Sequence, residues 1–205
     1  TSRNISPTCN PCSQGKIGNC ENVTLGEISP GIQTGSCHDT GGGWATEFYA
    51  HPSQLHSVPK EFSDEAAVMV EPTACGVHAA LAAELPSEGV VAILGSGTLG
   101  QVTISALRHF TNPKTIISTA RYPEQKRLAA ELGSDIVVNP DEIHRAVRRA
   151  CGTKAITNVS EKGPEGSVDR LTGGADVVID CVGTSKSISD ALSITKPKGK
   201  IILVG

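Results

Sequence analysis

No block of like charges, no long apolar run and no internal repeat occurs in this chain of 205 residues, and each absence removes a class of protein. The net charge is −3 with both signs interspersed, so nothing marks an electrostatic footprint for nucleic acid or a membrane surface. No stretch reaches the roughly 18 uninterrupted apolar residues of a spanning helix. The opening Thr1-Ser2-Arg3-Asn4 lacks the apolar core of a secretory signal, and the expectation is a cytoplasmic chain. A disulfide framework is missing too, because the seven cysteines are odd in number and three fall within the first twenty residues. That distribution suits a metal site better. Asn22-Val23-Thr24 and Asn158-Val159-Ser160 match the glycosylation tripeptide, which has no meaning in a cytosolic protein. The chain begins without Met and stops at Ile201-Ile202-Leu203-Val204-Gly205, which reads as the end of a buried strand and not as a natural terminus.

What is present divides in two. Residues 1–62 are rich in Gly, Pro, Ser, Asn and Cys and show no helical period, so they read as loops and short strands. Their best strand candidate is Trp44–Ala50, after the Gly41-Gly42-Gly43 turn. From 63 to 205 the texture changes, and a domain near 150 residues buries roughly 70% of its unfolded surface without disulfides. Ser63 or Asp64 caps a first helix, and Pro72 opens a second helical stretch from Ala74 to Leu85. Strands are then expected at 90–94, 115–119, 136–138, 175–181 and 200–204, with helices at 97–108, 123–132, 141–150 and 186–194 between them. The strands are short, apolar and β-branched, the texture of parallel strands covered on both faces. The alternation predicts an α/β fold, a doubly wound parallel sheet. Residues 156–174 carry a weak pattern and read as an irregular excursion or hairpin.

One turn carries a specific chemical message. Gly95-Ser96-Gly97-Thr98-Leu99-Gly100 follows the apolar run Val90–Leu94 directly and opens a helix through Val102, Ile104 and Leu107. In that context the first glycine permits the tight turn, the second admits a pyrophosphate to the backbone, and the third lets helix and strand pack closely. The helix N-terminus supplies free N–H groups and the positive dipole end. A dinucleotide site built this way expects an acid about 20 residues on, to hold the adenosine ribose. This chain has Ala120 there, then Arg121. Loss of the carboxylate removes a repulsion against an extra phosphate, and Arg121 offers a planar bidentate donor. The expected cofactor is therefore NADP, with Thr119 and Arg121 near the 2′-phosphate. The alternative is NAD, with Arg121 a solvated surface charge.

Cys9-Asn10-Pro11-Cys12, with Cys20 further on, gives C-x2-C-x7-C. Thiolates at such spacing share a tetrahedral zinc, and a metal supplies order where little apolar material is at hand. Three ligands are offered and the fourth is open; Cys37-His38-Asp39 reads as a loop element, because adjacent side chains point apart, with Cys37 or His38 as that fourth ligand the alternative reading. The competing reading is a metal-free loop or a redox-active thiol pair. Cys75, Cys151 and Cys181 are isolated in apolar context and read as core fillers, and His51, His56, His78, His109 and His144 as surface or packing residues.

The cysteine loop, then Gly43-Trp44-Ala45-Thr46-Glu47-Phe48, then Glu71-Pro72-Thr73-Ala74-Cys75-Gly76-Val77-His78-Ala79, then the glycine turn, together resemble the medium-chain zinc-dependent alcohol dehydrogenases, in the branch near sorbitol and threonine dehydrogenases. The resemblance runs over nearly the whole chain. It implies a small loop-rich N-terminal segment, the remnant of a GroES-like catalytic domain with its structural-zinc lobe, and a Rossmann domain. Cys9, Cys12 and Cys20 match three lobe cysteines, and Ser6 stands at the first position. Glu71 matches the last protein ligand of a catalytic zinc, whose other ligands belong to a preceding segment. Cys181, Val182, Gly183, Val204 and Gly205 would line the nicotinamide side of the cleft. The implied activity is zinc-assisted hydride transfer between an alcohol, polyol or amino-alcohol and NAD(P), in a homo-oligomer, a dimer or tetramer. Two other readings stay open: a zinc-free quinone or enone reductase of the same superfamily, and a non-catalytic NADP-binding module. A zinc-ribbon nucleic-acid binder is disfavoured, because no basic or aromatic patch accompanies the cysteines.

Overall fold

The computed structural model describes residues 9–16, 19, 21, 41–48, 55–156, 162–163, 166–167 and 170–205, with backbone alone at 162, 163, 166, 167 and 170. Ser6, Cys20, Cys37, His38, Asp39, His51 and both glycosylation tripeptides fall outside these residues, wholly or in their key positions. The chain forms two compact units, Thr1–Glu61 and Phe62–Gly205.

In the first unit a single helical turn, α1 (Asn10–Ser13), follows Cys9 in extended conformation and carries Pro11 in its first turn, where a missing N–H costs nothing. The strand expected from Trp44 does not form over residues 41–48, which are bends and irregular backbone with Trp44 and Phe48 exposed. An apolar and β-branched run becomes a strand only with a ladder partner, and none pairs with it among the described residues.

The second unit opens with α2 (Asp64–Val68), capped by the Ser63 hydroxyl on the Ala66 N–H at 3.2 Å. Next comes α3 (Val70–Ala82), which starts two residues ahead of Pro72. Proline was expected to open this helix, but it fits the third position as well, because that N–H has no intrahelical acceptor. The alternation then runs β1 (Val90–Leu94), α4 (Thr98–Phe110), β2 (Thr115–Thr119), α5 (Pro123–Glu131) and β3 (Ile136–Val138). A 3-10 turn at Pro140–Glu142 leads into α6 (Ile143–Ala150).

The stretch left undefined by sequence holds two small antiparallel ladders, one inside the other: β4 (Ala155–Ile156) with β7 (Arg170–Leu171), and β5 (Lys162–Gly163) with β6 (Gly166–Ser167). Then β8 (Ala175–Asp180), α7 (Ser185–Ile194) and β9 (Thr195–Leu203) complete the unit. β9 begins five residues earlier than expected, because its register against β8 jumps between Ala175 and Val177 and absorbs the turn around Gly199.

The sheet order is β3-β2-β1-β8-β9, every pair parallel. It is the doubly wound, Rossmann-like sheet that the alternation predicts. Side chains sort by parity: Val91, Ile93, Ile116, Val177 and Ile179 face α3 and α4 through Ala79, Ala80, Ile104 and Leu107. Val90, Ala92, Leu94, Ile117 and Val178 face α6 and α7 through Ile143, Val147, Ala191 and Ile194. Each fully buried aliphatic contributes about 1.5–3 kcal/mol of transfer free energy. All five residues of β1 are buried, which makes it the central strand and fixes where the chain reverses. From β1 the chain winds outward to β3, then returns to β8 on the other side. Such a reversal opens a crevice beyond the carboxyl ends of the two strands that flank it.

Candidate functional site

Two loops meet at that crevice, the glycine turn after β1 and Cys181-Val182-Gly183 after β8. Gly95 has φ of +89°, a region where a side chain is strained. Its N–H donates to the Thr119 hydroxyl at 2.8 Å, which ties the turn to the end of β2. A methyl group on Gly100 would lie 1.9 Å from the Gly95 carbonyl oxygen, so helix and turn touch backbone to backbone. Gly97 differs. It has ordinary φ, caps α4 without any side-chain hydrogen bond, and a methyl group built on it meets no atom of the described residues within 4 Å. Nothing in the protein's own packing requires glycine there, and the first turn of α4 holds no acidic residue. A backbone left bare beside uncapped helix N–H groups is a cradle for an anion.

Around the turn, Thr98 and Leu99 start α4, whose Leu99 carbonyl accepts from the Thr103 hydroxyl at 2.7 Å. Thr119 is buried, and its hydroxyl is occupied by Gly95. Ala120 is 2% exposed, with its N–H on the Val138 carbonyl at 2.9 Å. Arg121 is exposed and makes no ion pair among the described residues. It is therefore an available cation beside the position where a ribose-binding acid would stand.

The second loop is organised by a residue the sequence reading missed. Asp180, the last residue of β8, is fully buried. Its Oδ1 accepts from the N–H groups of Val182 at 2.9 Å and Gly183 at 3.4 Å, and its Oδ2 from the Ser187 hydroxyl at 2.8 Å. The Asp180 carbonyl also accepts from the N–H groups of Val204 and Gly205, at 2.8 and 3.2 Å. One residue thus fixes both segments expected on the nicotinamide side. Gly183 and Gly205 pack so closely that a methyl group on either would lie 2.6 Å from backbone of the other segment. Val182 touches the first loop, since a methyl group on Gly95 would meet its Cγ2 at 2.6 Å. Burial pushes the Cys181 thiol up to about 11, reinforced by the Asp180 charge and opposed by a hydrogen bond with Thr103. The sequence signal for Asp180 is a polar residue closing the apolar run Val177-Val178-Ile179.

The metal-ligand candidates are less gathered. Cys9 precedes α1 in extended conformation and Cys12 lies three residues on, inside it. Cys20, the third, is outside the described residues. Glu71 sits exposed in the first turn of α3 and accepts from the Cys75 thiol at 3.6 Å. Burial and the Glu71 charge together raise the Cys75 thiol. No grouping of three or more His, Cys, Asp or Glu able to hold a metal occurs among the described residues. No described helix is long and apolar enough to cross a membrane.

Comparison with known proteins bears on the whole chain. It is 31% identical over 202 residues to a sorbitol dehydrogenase of Arabidopsis thaliana, covering 96% of this chain and 48% of that protein. It is 30% identical over 200 residues to an L-idonate 5-dehydrogenase of Vitis vinifera, with the same coverage. Among solved structures, a Sinorhizobium meliloti 1021 protein described as a zinc-binding dehydrogenase and bound to NADP superposes with a TM-score of 0.71 at 25% identity, over 99% of this chain and 56% of that one. Alcohol dehydrogenase TADH from Thermus sp. ATN1 has the same fold, with a TM-score of 0.71 at 22% identity, over 97% of this chain and 53% of that one. The chain spans about half the length of the curated relatives it matches. Residues 98–205, which run from the first turn of α4 to Gly205 just after β9, match the profile of one family. The chain belongs to the zinc-binding dehydrogenases.

Proposed function

We propose that the crevice binds NADP and that the protein to which this chain belongs transfers hydride between an alcohol, polyol or amino-alcohol and that cofactor, with zinc. The observation that carries the reading is the unobstructed backbone of Gly97 beside the uncapped start of α4, at the point where the sheet reverses. In this reading Gly95, Gly97, Thr98, Leu99 and Gly100 hold the pyrophosphate. Thr119 and Ala120 shape the wall beside the adenosine ribose, and Arg121 pairs with the 2′-phosphate. Cys181, Val182, Gly183, Val204 and Gly205 flank the nicotinamide, with Asp180 fixing their backbone. The nicotinamide supplies the hydride chemistry when bound, and the chain supplies binding and orientation.

Two zinc sites belong to the proposal. Cys9, Cys12 and Cys20 would contribute thiolates to a structural ion, with a fourth ligand still to be identified. Glu71 would contribute a carboxylate to a catalytic ion, whose remaining ligands lie outside the described residues. A zinc ion in that position supplies Lewis acidity at the substrate oxygen. The relatives named for sorbitol and idonate support a polyol or sugar-acid substrate, and the proposed setting is a cytoplasmic homo-oligomer with neither nucleic-acid nor membrane partner.

The test has two arms. Equilibrium titration of the chain is expected to give tighter binding of NADP+ than of NAD+. The intact protein is expected to contain zinc and to reduce NADP+ when supplied with polyols. Tighter binding of NAD+ would overturn the cofactor assignment, and a zinc-free protein active on enones would replace the alcohol assignment.

A further inference from the structure

Asp180 is the one fully buried acidic residue described, and its neighbours are hydrogen-bond donors without charge. No Lys, Arg or His pairs with it among the described residues. A buried carboxylate without a counter-ion is costly even when its oxygens are hydrogen-bonded. Asp190, by contrast, faces both His144 and Lys186, and Asp176 faces Lys196. The unbalanced charge lies at the carboxyl end of β8, beside the crevice, one residue ahead of the loop whose N–H groups it holds.

We propose that the Asp180 carboxylate makes the site discriminate between the two oxidation states of a nicotinamide dinucleotide, favouring the oxidised, cationic ring over the reduced, neutral one. The inference rests on the reading of the crevice as a dinucleotide site. Oxidised and reduced forms share the adenosine, both riboses and every phosphate, so contacts at Gly97, the start of α4 and Arg121 cancel when their dissociation constants are divided. They differ by one unit of charge on the ring, and a fixed charge in the protein does not cancel. Two unit charges about 10 Å apart change an equilibrium by about twofold in a water-like dielectric, and by roughly fifteenfold at the effective dielectric of a partly buried site. Water does not reach Asp180 to screen it. The Val182 and Gly183 N–H groups on its Oδ1 place the carboxylate directly against the loop.

A role confined to holding the loop predicts something different, because a misplaced loop weakens both forms alike. The experiment is therefore a ratio. NADP+ and NADPH are titrated into the chain by calorimetry, for the wild type and for Asp180→Asn, which keeps an acceptor oxygen for the loop N–H groups and removes the charge. The expected result is a rise of threefold or more in the dissociation constant of NADP+ relative to that of NADPH. Val182→Lys, on an exposed side chain of the same loop, places a compensating cation and is expected to move the ratio in the same direction. Because a cation there repels an oxidised ring whether or not Asp180 acts, Asp180→Ser, which removes the same charge, is the deciding variant if circular dichroism shows Asp180→Asn unfolded. Ser187→Ala keeps the carboxylate and is expected to leave the ratio within twofold. Equal weakening of both forms in Asp180→Asn, or an unmoved ratio in Val182→Lys, would overturn the proposal. A wild type that binds neither form would instead remove the dinucleotide reading, and this inference with it.

Discussion

The turn after β1 and the loop after β8 meet at the reversal of the sheet, and opposite means build them. The first is shaped by missing side chains: Gly95 takes a left-handed φ, Gly100 lets helix and turn touch, and Gly97 leaves a bare backbone. Only neutral groups hold it, the Thr119 hydroxyl on the Gly95 N–H and the Gln101 amide on the Ser96 carbonyl. The second is shaped by a side chain, since the Asp180 carboxylate gathers two loop N–H groups and the Ser187 hydroxyl. A loop that must admit an anion excludes side chains and carboxylates. The loop assigned to a nicotinamide tolerates a buried charge.

That contrast is open to attack by substitution, with the largest effect expected inside the first loop. Gly100→Ala sets a methyl group 1.9 Å from the Gly95 carbonyl oxygen, with no flexible atom to yield. It is expected to cost about 3 kcal/mol or more in urea unfolding, and a neutral result would mean that the turn is not fixed by this approach. Next come the two hydroxyls. Ser187→Ala removes a donor from a carboxylate and is expected to cost about 2 kcal/mol, whereas Thr119→Val leaves a single neutral N–H without its acceptor, at about 1 kcal/mol. The reverse order would break the distinction between a charged and a neutral anchor. The smallest effect on the fold belongs to Arg121→Ala, whose side chain is exposed and makes no ion pair among the described residues. It is expected to leave the unfolding midpoint in place, raise the dissociation constant of NADP+ about tenfold and leave that of NAD+ within twofold. Equal loss for both cofactors would separate Arg121 from the 2′-phosphate.

The difference between the loops also explains what could be read from the sequence. Strand–helix alternation exposed the sheet, because burial on both faces demands the continuous apolar runs seen at Val90–Leu94 and Val177–Ile179. The glycine turn was legible because backbone constraints select one residue type at fixed offsets. Asp180 was not, since its meaning depends on Ser187 and Gly205, which reach it only through the fold. Trp44–Ala50 had strand composition, but a strand is a property of a pair, and over its described part, residues 44–48, none of the described residues pairs with it. Pro72 misled in a milder way, because proline is accepted anywhere in a first helical turn and so does not mark the first residue. Of the proposed zinc ligands, spacing suggested Cys9, Cys12 and Cys20, of which Cys9 precedes α1 and Cys12 lies within it, whereas Glu71 drew its assignment from family resemblance alone.

The most direct measurement pairs affinity with stability at Gly97. Alanine is compatible with the φ of −74° there, and its methyl group meets no atom of the described residues within 4 Å. Gly97→Ala is therefore expected to unfold within about 0.5 kcal/mol of the wild type, yet to bind NADP+ at least tenfold more weakly, because the methyl group stands where the pyrophosphate must approach. Unchanged affinity in a variant of unchanged stability, or a wild type that shows no saturable binding of NADP+, would contradict the account.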